Sequence, residues 1–450
     1  MDQILNRIFK AYDIRGKVGS ELTPELCFNI GKSLADFLPA KGPVAVGRDM
    51  RPDSEELSNS LIKGLRSQGR DVWNLGLITS DMVFFAVGKY DLAGGVVITA
   101  SHNSGEYNGI KIYRDGVNAV GLDSGLEEIK QSILNNDFKI PESETGLLVD
   151  KDISQVWVDH ALSFVDYKSW PELNIAADTG NGMAGAILPI LLPKLPLRCK
   201  EMFFQLDGTF PNHEANPHNP DNLKSLIEEI RTNDLDFGIA FDGDGDRVAF
   251  VDNLGRPVLG TDLLSLLAKY FLKKNPGSPI IYEVRTSMAT TEIIKENGGV
   301  PIRTKAGRIE IGRKVRELGA FFGGETTGHF FFKDNYDADS GLISALVIIQ
   351  AIIEDGRKLS DIVDELRRYP ILTETNFEVE DKQAAIDALK LKFKDEQIYE
   401  LDGVTITFES GAWLNLRPSN TEPLLRLNAE APSQEELNSI VSKAKSAIEA

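Results

Sequence analysis

Two cysteines are few for 450 residues, and Cys27 and Cys199 sit in no metal-spaced pattern. That scarcity excludes a disulfide-stapled scaffold and a cysteine-ligated zinc site, and it points to a reduced, cytoplasmic setting. Long apolar runs are also missing. The longest, such as Ala345 to Ile353, is too short to span a bilayer as a helix. The first residues lack the basic-then-apolar pattern of a secretion signal, which gives the same cytoplasmic expectation. Nowhere does Gly-x-x-x-x-Gly-Lys-Ser/Thr occur, so a P-loop nucleotide cradle is excluded. Positive charge is in deficit: 49 Lys and Arg face 68 Asp and Glu, a net charge of −19 that argues against nucleic acid or a membrane surface as partner.

What is present is an ordinary globular composition, long enough for roughly three domains or more. Strand and helix patterns alternate over most of the length, which argues an α/β architecture. Thr23-Pro24 opens a helix with an N-cap and a proline at its first position, and Cys27, Ile30, Leu34 and Leu38 mark its buried side. Ser54 opens another, with Leu57, Leu61, Ile62 and Leu65 inside and Gly69 at its end. The polar stretch Pro141 to Gly146 suggests a first boundary. The expected domains are 1–146, 147–252, 253–370 and a small α+β unit at 371–450. In the last, strands Val404–Phe408, Ala412–Leu416 and Leu424–Ala429 precede a helix with a Ser433/Glu436 capping box.

Two loops carry complementary chemistry. Gly94 to Ala100 reads as a buried strand that breaks into the polar loop Ser101-His102-Asn103-Ser104 before a second strand, Gly109 to Arg114. Lys111 should face opposite to Ile110 and Ile112, towards the serine loop. A serine displayed there beside His102 and Lys111 suits a nucleophile or phosphate carrier; a plain polar hairpin loop is the alternative. The second loop, Asp242-Gly243-Asp244-Gly245-Asp246-Arg247, lies between strands Phe237–Phe241 and Val248–Val251. Three carboxylates at alternate positions repel unless a cation lies between them, and few hard oxygens suit Mg²⁺. A calcium EF-hand fails, since Arg247 and Asn253 stand where glycine and glutamate are needed. A solvated acidic turn is the other alternative.

Further along, Glu325, Thr327 and His329 would point to one side if their loop is extended, and together they suit the hydroxyls of a sugar. Arg417-Pro418-Ser419-Asn420-Thr421 combines a guanidinium with short polar donors, a nest for phosphate, with Arg426 on the next strand behind it. Gly180-Asn181-Gly182-Met183-Ala184-Gly185 matches a dinucleotide fingerprint, but Pro189 and Pro193 spoil the helix that should follow. Asp207, His213 and His218 form a metal-like cluster by spacing alone.

Phe9-Lys10-Ala11-Tyr12-Asp13-Ile14-Arg15-Gly16, Thr99-Ala100-Ser101-His102-Asn103, the Asp242–Arg247 loop, Gly323-Gly324-Glu325-Thr326-Thr327-Gly328-His329 and Arg417-Pro418-Ser419-Asn420-Thr421-Glu422-Pro423 stand in a specific order. In that order and spacing the chain resembles the α-D-phosphohexomutases, and most closely their phosphomannomutase/phosphoglucomutase branch. The resemblance implies three related mixed α/β domains and a smaller C-terminal α+β domain around a central cleft. It implies reversible phosphoryl transfer between the 1- and 6-positions of a hexose phosphate, through phosphorylated Ser101 and a hexose 1,6-bisphosphate intermediate. Mg²⁺ would be held by Asp242, Asp244, Asp246 and Ser101. Arg15, Lys111, Arg247 and His329 would serve catalysis. Tyr12, His102, Lys305, Arg308, Glu325, Thr327, Arg417, Ser419, Asn420, Thr421 and Arg426 would bind the substrate. An acidic protein must hold an anionic substrate with local basic groups, and these motifs are where such groups cluster. The resemblance makes the Gly-Asn-Gly and Asp207–His213 segments structural. It implies no nucleic-acid or membrane partner and a monomer or small homo-oligomer.

The sequence departs from the family pattern at several points. Ser104 stands where proline is common, and Thr326 and Thr327 where methionine and serine are usual. Arg285 and Arg308 replace the lysine and histidine of many relatives; arginine does not deprotonate, so Arg308 is expected to contact phosphate rather than move a proton. A phosphoglucosamine mutase, whose opening and sugar-loop motifs differ from these, and a Mg²⁺-dependent sugar phosphatase are the competing readings.

Overall fold

The computed structural model describes residues 2–39, 42–140, 145–418 and 424–449. It divides into two compact units: one of residues 1–258 with 327–360, the other of residues 259–326 with 361–450.

The first unit holds two mixed sheets. In the seven-stranded sheet, Val44–Arg48 runs parallel to Val72–Leu77 and to Gly94–Ile98. Tyr107–Arg114 returns antiparallel to Gly94–Ile98, and Ile14–Lys17 pairs antiparallel with it in turn. Gly94–Ile98 is buried throughout, as its unbroken run of small and apolar residues requires of a strand covered on both faces. Helix Pro24–Phe37 buries Leu26, Cys27, Ile30 and Leu34, and its Thr23 cap accepts from Leu26 N. Helix Ser54–Ser67 begins where expected, but the Ser54 hydroxyl donates to Asp49 instead of capping. Strand Leu148–Asp150 pairs with Val72–Leu77 and so carries the first sheet a few residues past 146.

The second sheet repeats the plan. Leu173–Asp178, Leu197–Met202 and Phe237–Phe241 are parallel, and Val248–Asp252 returns antiparallel to Phe237–Phe241. In each sheet a buried strand ends in a polar loop and the chain comes back along its own side. That is how Ser101 and the aspartates come to occupy equivalent turns. Ala184–Leu191 does form a helix with Pro189 inside it, but it is only 8 residues long. The unit closes with helix Gly341–Asp355, buried continuously from Gly341 to Ile352. Among the described residues, no helix is long and apolar enough to cross a membrane.

In the second unit, Pro279–Glu283 lies parallel between Val300–Thr304 and Phe322–Gly324. A separate five-stranded antiparallel sheet runs in the order Ile371–Phe377, Leu425–Glu430, Trp413–Pro418, Val404–Thr407, Gln397–Tyr399. Edge strand Ile371–Phe377 and helix Lys382–Lys392 add to the elements expected there. The edge strand shifts register between Leu372 and Thr375, a bulge that re-aims the residues inside it. Ser433 caps the last helix by accepting from Glu436 N, while the Glu436 carboxylate takes the Ser410 hydroxyl, so the expected box is half formed.

Candidate active site

Ser101 is 1% exposed and has a left-handed backbone, φ +52°. Its hydroxyl donates to Asp242 Oδ2 at 2.8 Å and accepts from Arg247 Nη2 at 3.1 Å. The two loops touch backbone to backbone as well: a Cβ on Gly243 would come within 2.5 Å of the Ser101 carbonyl oxygen, so only glycine fits.

Asp242, Asp244 and Asp246 are fully buried, and one oxygen from each lies within 4.8 Å of the others. Burial, then Asp244 and Asp246, pushes the Asp242 carboxyl up to about 7. Burial works the same way on Asp244, but Lys111 and the Ser80 hydroxyl hold its carboxyl below the usual range. Asp244 Oδ1 is buried without a hydrogen-bond partner among the described residues. Three dry carboxylates, one with an unused oxygen, form a donor set for a hard cation such as Mg²⁺.

Lys111 faces away from Ile110 and Ile112 as alternation requires, but it ends on the acidic loop. Its Nζ lies 2.6 Å from Asp244 Oδ2 and bonds Asp246 as well. Arg247 Nε is 3.3 Å from Asp242 Oδ2, and its Nη2 donates to His102 Nδ1 at 2.7 Å. Burial and the Arg247 and Arg15 guanidiniums hold His102 well below the usual imidazole range, hence neutral. Arg15 bonds Asn103 and Asp13. Tyr12 lies partly buried on the bend before Ile14–Lys17. His329 Nδ1 sits 2.6 Å from Asp339 Oδ2 and 3.9 Å from Asp246 Oδ1.

The expectation that Glu325, Thr327 and His329 share one side of an extended loop is corrected. Residues 326–328 turn, with Gly328 at φ +80°, and alternation is lost. Glu325 belongs to the second unit, where its Oε1 accepts from Gly307 N at 2.8 Å; Thr327 and His329 belong to the first. His213 pairs with Asp178 at 3.1 Å, and Asn181 is bonded to Gln205 and Asn212, so these polar loops are internally satisfied.

Beside the serine loop stands a residue with almost no signal in the sequence. Arg51, 2% exposed, is anchored on Asp49 and donates to four carbonyls of the serine loop: Ser101 at 2.9 Å, Ser104 at 2.8 Å, Tyr107 at 2.9 Å, and Asn103. Its only sequence signal was a pair of charges flanking Met50 at a strand end.

In the second unit, Arg417 and Arg426 are directly opposite one another on paired strands. Both reach Glu374, Arg417 Nη2 at 3.1 Å and Arg426 Nη1 at 3.0 Å. Arg285 joins them: its Nε is 2.9 Å from Glu283 Oε1, its Nη2 3.6 Å from Glu325 and its Nη1 3.6 Å from Glu374. Lys305 is exposed, and Arg308 opens helix Arg308–Leu318. Ser419, Asn420 and Thr421 lie outside the described residues.

Four family models match in order. Three describe the α/β/α domains I, II and III of phosphoglucomutase/phosphomannomutase, at residues 6–140, 155–255 and 260–369; the fourth describes their C-terminal domain, at 374–446. A Xanthomonas campestris relative described as phosphohexose mutases is 38% identical, with 94% of each chain covered. The chain belongs to the phosphoglucomutase/phosphomannomutase family. An Escherichia coli phosphomannomutase is 34% identical, again with 94% of each chain covered. The crystal structure of a phosphoglucomutase/phosphomannomutase family protein from Burkholderia thailandensis superposes with a TM-score of 0.90 at 30% identity, covering 98% of this chain and 97% of that one. The fold is thus that of the family: three α/β/α domains and a C-terminal domain.

Proposed function

We infer that this phosphohexomutase moves a phosphoryl group reversibly between the 1- and 6-positions of mannose or glucose phosphate, with Ser101 as carrier. The observation that carries the reading is the Ser101 hydroxyl held between Asp242 and Arg247. Phosphorylated Ser101 gives up its phosphoryl group: the Oγ–P bond breaks and Oγ leaves with the electron pair to take up a proton, a bond forms from phosphorus to the free sugar hydroxyl, and that hydroxyl loses its proton to a base. The product is a hexose 1,6-bisphosphate, which also serves to prime an unphosphorylated enzyme. It turns over, and its other phosphate returns to Ser101.

Mg²⁺, held by Asp242, Asp244, Asp246 and the phosphorylated Ser101, would offset charge on the transferring group. Arg247 steadies the same group, with Arg15 and His102 on its flank. Lys111 fixes Asp244 and Asp246. Asp339 beside His329 Nδ1 leaves Nε2 to handle the proton at the sugar hydroxyl. Glu325 and Thr327 take ring hydroxyls, Tyr12 lines the sugar, and Lys305 and Arg308 contact phosphate. Arg417, Ser419, Asn420, Thr421 and Arg426 grip the phosphate that is not reacting. A loop that reads the 3- and 4-hydroxyls accepts both sugars, which differ at the 2-hydroxyl.

The domain limits 1–146, 147–252, 253–370 and 371–450 are part of this reading, the first moved past strand Leu148–Asp150, which pairs into the first sheet, as are a cytoplasmic setting and a monomer or small homo-oligomer. Burial pushes both cysteine thiols up to about 12, which suits a protein without thiolate chemistry. The test is peptide mass spectrometry of the purified enzyme alongside turnover of glucose 1-phosphate and mannose 1-phosphate. Phosphate on Ser101 and turnover of either sugar are expected. Phosphate only elsewhere, with Ser101→Ala fully active, would overturn the assignment.

A further inference from the structure

Arg417 and Arg426 are paired residues on adjacent antiparallel strands, so both side chains leave the same face at the same level. Like charges directly opposite on a sheet repel. Arg417 is 5% exposed, so water screens the repulsion poorly, and Arg285 depresses the Arg417 guanidinium further after burial itself. Such a pair is stable only with an anion against it. The anion that touches both is Glu374, with Asp402 and Glu283 also favouring the charged form of Arg417: Glu374 Oε2 is 3.1 Å from Arg417 and 3.6 Å from Arg285, and Oε1 is 3.0 Å from Arg426. Its two oxygens spread over three guanidiniums as the oxygens of a phosphate would.

The backbone is built to bring it there. Glu374 lies within the register shift between Leu372 and Thr375, on the edge strand beside Arg426. A bulge at such a place redirects a side chain. The carboxylate itself stays partly wet, at 28% side-chain exposure, so it can leave at modest cost.

We propose that Glu374 is an internal competitor for the non-reacting phosphate: it occupies Arg417 and Arg426 while no phosphate is there and weakens their hold when one is. The proposal rests on the reading of Arg417 as a phosphate grip. A mutase needs a grip that releases, because the bisphosphate must leave those arginines and present its other end in every cycle. A competitor lowers apparent affinity by the fraction of time it holds the site, and it neutralises the arginines at the moment the phosphate departs.

The experiment uses the full-length enzyme with Glu374→Gln, which keeps shape and removes charge. Binding of glucose 1-phosphate is measured by calorimetry in a Ser101→Ala background, where turnover is blocked, and steady-state kinetics are measured with Ser101 intact. Binding should tighten by roughly threefold to tenfold, as expected when a state competent only part of the time becomes always competent. KM and kcat should fall together. A merely structural role for Glu374 predicts the opposite sign, since loosened arginines bind more weakly; unchanged or weaker binding overturns the proposal. Arg417→Ala in the same calorimetry separates the two readings. If it leaves binding unchanged, the phosphate-grip reading itself is wrong; if it weakens binding while Glu374→Gln does not tighten it, only the competitor is wrong.

Discussion

Three carboxylates crowd the turn from Asp242 to Asp246, and Lys111 and Arg247 lie against them. In the other unit three arginines crowd Glu374. The first place gathers carboxylates and the second guanidiniums, and in each the protein supplies counter-charge of its own, with Glu283 and Glu325 joining Glu374 around Arg285. The burial differs. The aspartates are at 0% exposure, whereas the Glu374 side chain is at 28%. A dry carboxylate cluster suits a resident cation; a half-wet carboxylate suits an anion that comes and goes.

The comparison can be broken most severely at Ser101, the proposed carrier, which the first place surrounds. Ser101→Ala should lower kcat by at least about 10³-fold, as loss of a covalent carrier does, with sugar affinity by calorimetry little changed. Next comes the acidic turn. Asp244→Asn should cut turnover by about 10²-fold or more, since even outer-shell partners of a metal cost up to that much. The Mg²⁺ concentration for half-maximal rate should rise with it, and a normal Mg²⁺ titration would remove the turn from the chemistry. In the arginine group, Arg417→Ala should lower kcat/KM for glucose 1-phosphate and mannose 1-phosphate alike, by roughly tenfold or more, the value of a desolvated charge-assisted contact. Loss of one sugar alone would show that Arg417 reads the ring instead.

How much of this was legible beforehand follows from range in the chain. Ser101 and the three aspartates announce themselves because polar residues crowd immediately after an apolar strand, a local anomaly. The Thr23 cap and the final helix were legible for the same reason. Arg51 and Glu374 were not. Each is a single charge in an unremarkable stretch, and each matters only because strand pairing brings it to loops far away, from Arg51 to Ser101 and from Glu374 to Arg417. The Glu325–His329 loop departs from the expected alternation because alternation assumes an extended chain, and Gly328 turns it. The edge strand Ile371–Phe377 carries polar residues at Thr373, Glu374, Thr375 and Asn376, and its bulge breaks the pattern that would have marked it.

The smallest expected effect sharpens the contrast in burial. Asp81 lies beneath the acidic side, bonded by Thr79 and Ser340, and burial pushes its carboxyl up to about 7. A raised folded value means the native state holds a proton that the unfolded chain has lost above about pH 4. Stability from this group is therefore full at low pH and falls as pH rises towards 7. Asp81→Asn should flatten that decline, and the check is the melting temperature of both proteins at pH 5.5 and pH 8. The difference expected is a few degrees. An equal decline in both would show that Asp81 is ionised throughout.

The left-handed backbone at Ser101 decides which alcohol can serve as the proposed carrier. Threonine offers the same oxygen nucleophile, but its branched Cβ is a poor fit at positive φ, and the strain is on the order of 1–3 kcal/mol. The extra methyl would also have to fit a loop that is buried at that point and clamped by Arg51 through four carbonyls. Serine and threonine, interchangeable to so much of phosphate chemistry, are not interchangeable in this turn. Its geometry selects the smaller of the two before any substrate arrives.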